Sequence, residues 1–396
     1  MPRWDETATL IVGGRRFDDW ESVYVQDRMH ESFPIFRFTA AEREAPFATL
    51  RFVPGEECAV YLGGKLAISG FILTRQVAYD ANQHRVQLEG VGRTWAAARG
   101  SILDKDGNYD NHTFEQFARK LIAPFGVGVE TVGQLDATPF KKLQIEKGQD
   151  LWDNLERVAR PRGIIMGSNP FGKFLLIGQH SKPAVQELIE GVNIKRCQCV
   201  ISIQHQRYKF VMDGQTAADD SQHGKQASEQ RAEVPGTLKY YSPLLTQAEQ
   251  PVWSIQELAQ RANNEKKWNE GQSIEVTITV YGWHRTRGGS ASSSEIWHAG
   301  EEVMVKSPMA MLNETLKIET ATYTQDRESG TETTLVLKNP FALNGKGRMD
   351  FRPGVDADEW KDGAKADTTQ ASTPPDAPVP EPPPANLPPQ ESANPD

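Results

Sequence analysis

Cysteine is scarce: the 396 residues contain only Cys58, Cys197 and Cys199. So small and odd a set excludes a disulfide framework. It also gives no four-ligand zinc pattern, because no second pair accompanies Cys197 and Cys199. Two positions apart in a strand-like run face one side of a sheet, so these thiols read as ordinary half-buried residues of a reducing compartment. Long apolar runs are missing too. Hydrophobic residues make up 38% of the chain, and no run approaches the ~18 residues that span a bilayer. The opening Met1-Pro2-Arg3-Trp4-Asp5-Glu6 lacks the apolar core of a secretory signal.

Positive charge is absent from one stretch altogether. Ala366–Asp396 holds 10 of the 25 prolines, five carboxylates, no Lys or Arg and no aromatic ring. Such a segment cannot bury enough apolar surface to offset its ordering entropy, and its proline pairs favour extended polyproline II. A disordered acidic tail over residues 351–396 is therefore expected. The stretch carries −5 of the formal −9, so residues 1–365 carry −4. A body so nearly balanced argues against a general nucleic-acid-binding surface.

Catalytic signatures are likewise lacking. The eight histidines are scattered without an H-E-x-x-H pair, and there is no G-x-S-x-G elbow or phosphate-binding loop. Gly90-Val91-Gly92 has no third glycine for a dinucleotide site. Asp104 with Asp106, and Asp150 with Asp153, are the acidic pairs worth weighing against a glycosidase. Turn formation and helix capping account for all four. The expectation is no enzyme, no cofactor and no metal site.

What is present is β-structure on either side of a mixed segment. Leu10-Ile11-Val12 runs into Gly13-Gly14, and Val60-Tyr61-Leu62 into Gly63-Gly64, each a hairpin signal because both turn positions need φ > 0. Ser22–Gln26, Phe33–Thr39, Phe71–Tyr79 and Arg85–Glu89 read as further strands. Thr113–Ala123 is a helix with a Thr113/Gln116 capping box, and Leu151–Arg160 one capped by Asp150 and stopped by Pro161. Leu143–Ile145, Gly163–Met166 and Phe174–Ile177 complete a small α+β segment. Beyond it, Cys199–Gln204, Tyr208–Met212, Ile274–Tyr281, Leu316–Tyr323 and Thr331–Lys338 read as strands, Asp213–Ala232 as a mobile loop, and Ser254–Trp268 as a helix whose apolar stripe is Ile255, Leu258, Ala259 and Ala262. The tryptophans, Trp152 and Trp268 among them, sit near element ends, where core packing or subunit contact is the usual role.

Several blocks together carry a family resemblance: Val12-Gly13-Gly14-Arg15-Arg16-Phe17, Trp20-Glu21-Ser22-Val23, Leu62-Gly63-Gly64, Gly70-Phe71-Ile72 and Gly90-Val91-Gly92-Arg93-Thr94. The most specific is Thr113-Phe114-Glu115-Gln116-Phe117-Ala118-Arg119-Lys120-Leu121-Ile122-Ala123-Pro124-Phe125-Gly126-Val127, followed by Arg157–Ile164, Ser168-Asn169 and Phe174-Leu175. In order and spacing these resemble the baseplate hub proteins of Mu-like contractile-tailed bacteriophages, the tail hub or late control protein D-like family.

The resemblance implies a mainly β fold: two tube-protein-like β-barrels, at residues 1–93 and 183–350, flanking a LysM-like α+β domain at 94–182. It implies a structural virion protein, a homotrimer whose six barrels adapt the six-fold tail tube to the three-fold membrane-piercing spike. Its partners would be the tube or tube-initiator protein above, the spike below and baseplate wedge proteins around. Phage DNA would pass the central channel without specific binding, and the ring would assemble in the host cytoplasm. Gly148-Gln149-Asp150-Leu151-Trp152-Asp153-Asn154-Leu155 is also similar to the opening of a LysM motif. That similarity makes Trp152 a candidate glycan contact and peptidoglycan binding the alternative function, with a tail-associated lytic enzyme a further one. The bland alternative is that Leu151 and Leu155 pack the small core and Trp152 covers it.

Overall fold

The computed structural model describes residues 6–41, 52–80, 84–180, 183–215, 230–248, 252, 254–285 and 295–340. Contacts group Met1–Gly354 into one unit, and Val355–Asp396, with the acidic tail, lies outside the described residues. The first region contributes strands β1 (Ala8–Val12), β2 (Arg15–Phe17), β3 (Ser22–Arg28), β4 (Ile35–Ala41), β5 (Glu57–Leu62), β6 (Lys65–Tyr79) and β7 (His84–Gly92). Both glycine pairs turn as expected. Gly13 and Gly14 have φ of 55 and 77°, and Gly63 and Gly64 have 51 and 79°, the left-handed values of a two-residue hairpin.

The middle segment holds α1 (Trp95–Ala98), α2 (Phe114–Ile122), β8 (Val129–Val132), α3 (Leu151–Ala159), β9 (Ile165–Ser168) and β10 (Phe174–Ile177), with a small sheet ordered β8-β10-β9. Thr113 closes a full capping box with Gln116, and the Asp150 carboxylate accepts the Asp153 N–H at 2.9 Å. Each helix passes through a short 3-10 turn containing proline and ends on a left-handed glycine, Gly126 or Gly163. Phe114, Phe117, Leu121, Leu151, Leu155 and Phe174 form the shared core. Thr113→Ala is expected to remove about 1 kcal/mol of stability, read as a lowered urea midpoint of the full chain.

The last region supplies β11 (Glu187–Ile189), β12 (Arg196–Ile201), β13 (Lys209–Gly214), β14 (Gln230–Pro235), β15 (Pro243–Gln247), α4 (Ile255–Gly271), β16 (Ile274–Tyr281), β17 (His284–Arg285), β18 (Glu295–Ile296), β19 (Glu302–Ser307), β20 (Leu312–Asp326) and β21 (Gly330–Lys338). The alternation expected at Ile274–Val280 holds on its apolar face: Ile274, Val276, Ile278 and Val280 are buried. Residues Leu258 and Ala262 of α4 are buried with Met212, Ala232 and Val252.

The two outer β regions are joined into one 13-stranded sheet, because β3 pairs β20 from Val23↔Gln325 to Arg28↔Thr320. No ladder among the described residues closes on itself. The coarse expectation, mainly β with a mixed middle segment, is met, while the ladder itself is open. One hydrophobic core runs through both regions and includes Phe36, Phe38, Leu62, Ile278, Leu316 and Leu335.

The two regions also share a strand order. In the first it runs β3-β4-β7-β6-β5-β1, and in the last β12-β16-β21-β20-β19-β11. The long strands β6 and β20 occupy equivalent places, each has 15 residues, and each carries a register shift where it changes partner (Ile72/Thr74 and Ile318/Thr320). The copies differ at one end, where β1 pairs antiparallel and β11 parallel.

Several expectations need correction. Leu143–Ile145 is not a strand; only Gln144 forms an isolated bridge, to Asn108. Asp213–Gly214 and Gln230–Ala232 belong to β13 and β14 rather than to a loop, and 216–229 lie outside the described residues. Ile255, assigned to the buried stripe of α4, is 53% exposed because the helix packs through Leu258 and Ala262 instead. Cys197 is exposed on β12 rather than half-buried.

Candidate functional site

Two of the four carboxylates weighed for catalysis are committed to local structure. Asp104 accepts the Asp106 N–H at 3.1 Å and the Tyr109 hydroxyl at 2.5 Å, and Asp150 caps α3. Gly70, Gly90 and Gly92 serve packing: a Cβ on them would lie 1.8 Å from the Val91 carbonyl oxygen, 2.2 Å from the Phe36 ring and 2.5 Å from Pro34, respectively. Among the described residues no cluster of His, Cys, Asp and Glu is placed to hold a metal, and no helix is long and apolar enough to cross a membrane.

Two stretches of sheet edge stand out instead. Among the described residues β12 has one neighbouring strand, β16, and Val200 on it is 51% exposed. β6 loses its β5 neighbour after Phe71, so among the described residues its one neighbouring strand from Leu73 to Tyr79 is β7. Val77 there lies opposite Val86, a buried core residue, yet is itself 43% exposed. The core-facing row of the sheet thus continues past its covered area. Exposed apolar edges of this kind template pairing with another chain.

A cavity of about 770 Å³ lies between α3 and α4. Trp152 enters its wall from α3 and Trp268 from α4, with His30, Arg157, Arg261 and Gln247 also lining it. The Trp152 ring stacks on Phe174 (centroids 6.2 Å apart, 27° between planes), while Leu151 and Leu155 are fully buried. Trp268 meets His30 edge-on at 5.3 Å. Trp283 and Trp297 are essentially inaccessible in the core and Trp20 packs against it; Trp4, Trp253 and Trp360 lie outside the described residues.

Burial, helped by the charges of Lys338, Arg28 and Lys317, pulls the His30 pKa from 6.5 down to about 4. The folded state therefore keeps this imidazole neutral, while the unfolded chain takes up a proton below pH 6.5. Its contribution is fully present above pH 6.5 and is lost as pH falls towards 4. Between pH 7 and pH 5 the native chain is expected to lose about 2 kcal/mol more stability than a His30→Gln variant, measured by urea unfolding at both values.

The profile of the Mu phage baseplate assembly protein GpP-like N-terminal domain matches residues 7–92, and that of the baseplate hub protein gp44-like second domain matches residues 98–178. The baseplate hub protein gp44 of Escherichia phage Mu is 25% identical over 290 residues, which is 71% of this chain and 76% of that protein. Over these segments the chain is similar to the Mu-type baseplate hub proteins. Two solved structures share its fold. The 43 kDa tail protein of prophage MuSo2 from Shewanella oneidensis superposes with a TM-score of 0.72 at 23% identity, covering 86% of this chain and 99% of that one. A tail protein from Neisseria meningitidis MC58 gives 0.72 at 19% identity with the same coverage.

The two matched segments span the glycine blocks and the α2 block that carried the resemblance. Trp268 was visible only as an indole at an element end. Its one special sign is its setting in the polar run Lys266-Lys267-Trp268-Asn269-Glu270, and nothing in that run announces that α4 brings it to the same cavity as Trp152.

Proposed function

We propose that the chain is the structural hub of a contractile tail, acting as a homotrimeric ring in which β6 of one copy pairs with β12 of the next. The repeated strand order carries this reading. Within the chain, the outer edge of β20 is filled by β3. In the repeat, β6 stands where β20 stands and β12 where β3 stands, so the same junction can form between copies. Because the two edges differ, the contact is heterologous, and a heterologous contact repeated through a fixed rotation closes into a ring.

Each chain would then lend eight strands to the wall (β6, β7, β4, β3, β20, β21, β16 and β12), and three chains would lend three times eight, or twenty-four. Three junctions inside chains would alternate with three between them. That gives a three-fold object a near six-fold rim, suited to the tube above and the spike below, with wedge proteins outside and DNA passing through the middle. Each tube-like barrel of the resemblance would be completed in this assembled state. The role is mechanical and not enzymatic, in a virion tail assembled in the host cytoplasm. Light scattering on the purified full chain tests it. Three chains of 44.2 kDa give about 133 kDa, and imaging of that species should show a central opening; a chain that stays at 44.2 kDa when concentrated overturns the ring.

A further inference from the structure

We propose that the cavity between α3 and α4 is a binding site for an uncharged oligosaccharide. This stands on the cavity alone and is independent of the ring. The volume of about 770 Å³ falls within the ~300–1,000 Å³ of ordinary ligand pockets. Its walls combine indole with groups that make hydrogen bonds. Trp268 is 36% exposed although it sits on a helix whose neighbouring residues are polar. An indole kept in contact with water is costly, and its face suits the C–H groups of a pyranose ring, which carry partial positive charge towards the negative π surface.

The charges at the wall point to a neutral ligand. Arg157 pairs with Glu146 at 3.2 Å, and Arg261 with Glu257 at 2.7 Å, so these cations are already compensated. The guanidinium of Arg160 lies 6.0 Å from the Trp268 ring centroid. His30 is held uncharged, so it adds no charge to the wall. Gln149, Gln247 and Asn264 add amides, each able to donate and accept. An anion would meet the carboxylates of Asp153, Glu156 and Glu265 in the same wall, which offset Lys267 and Arg160, and a wholly apolar ligand would strand these polar groups. A polyhydroxylated chain satisfies both the amides and the indoles.

The full chain should be titrated with the N-acetylglucosamine tetramer and, separately, with cellotetraose, following indole fluorescence and heat. Saturable binding of at least one is expected, weakened about tenfold or more in Trp268→Ala and partly restored in Trp268→Phe. Trp268 is exposed, so this variant should keep the unfolding midpoint of the native chain. Trp152→Ala is expected to weaken binding similarly; should loss of its contact with Phe174 unfold it, the Trp268 pair alone decides. Binding of neither tetramer, or equal binding by the native and Trp268→Ala chains, overturns the proposal. The tetramers also separate acetamido recognition, where only the first binds, from recognition of the pyranose ring, where both do.

Discussion

Replacing Val77 with proline is expected to leave the chain as a 44.2 kDa species under conditions where the proposed native ring would weigh about 133 kDa, three times 44.2 kDa. Proline fixes φ and carries no N–H, which is how natural edge strands are blunted against pairing. Val77 is 43% exposed, so the change spares the core. Gln76→Pro is the comparison, because successive N–H groups point to opposite edges of a strand and the two variants therefore remove a donor from different edges. Val200→Pro, on β12, should have the same effect from the other side. The decisive measurement is a mixture. A Val77→Pro chain retains a sound β12 edge and a Val200→Pro chain a sound β6 edge, so together they should form one junction and a dimer of about 88 kDa, twice 44.2 kDa. Two-fold symmetric pairing of one edge with itself predicts a different outcome, in which each variant keeps or loses assembly by itself and mixing adds nothing.

Gly70→Ala should be the most destabilising single methyl in the chain's first region, costing about 3 kcal/mol or more. Its Cβ would fall 1.8 Å from the Val91 carbonyl oxygen and 2.9 Å from Gly92 Cα. Those are backbone atoms of the strand opposite, held by the ladder, and they have no rotamer to retreat into. Gly90→Ala should cost less, because its Cβ meets the Phe36 ring first, a side chain with some freedom to turn. Urea unfolding of both variants checks the order; a Gly70→Ala chain as stable as the native one would show that β6 and β7 can separate there without loss.

Local chemistry was legible in the sequence. Paired glycines announced both tight hairpins, Thr113 with Gln116 announced the start of α2, and Asp150 and Pro161 bracketed α3. Strict alternation marked Ile274–Val280. Long-range pairing was not legible. β8 has four residues, of which none is fully buried, so it shows no period until Phe174–Ile177 lies parallel to it. The repeated strand order left no trace in residue type either, since a strand's neighbours constrain only which face is apolar. Ile255 misled because an apolar residue one turn from Leu258 fits a buried stripe, whereas α4 packs against β13 and β14 through a narrower one. The cavity was half visible: Trp152 was singled out as a candidate contact, but its opposite wall comes from a helix about a hundred residues away.

The β3–β20 junction has a consequence for how ring size is chosen. A polymer of identical links closes only when the bend per link divides a full turn, and in the proposed ring every second link would be built into the monomer. The bend at that link would therefore be fixed during folding, before any two copies meet, and the register shift at Ile318/Thr320 lies where it would be set. Straightening that shift would leave both outer edges intact and sticky while changing the curvature, and growth would then favour open filaments over closed rings.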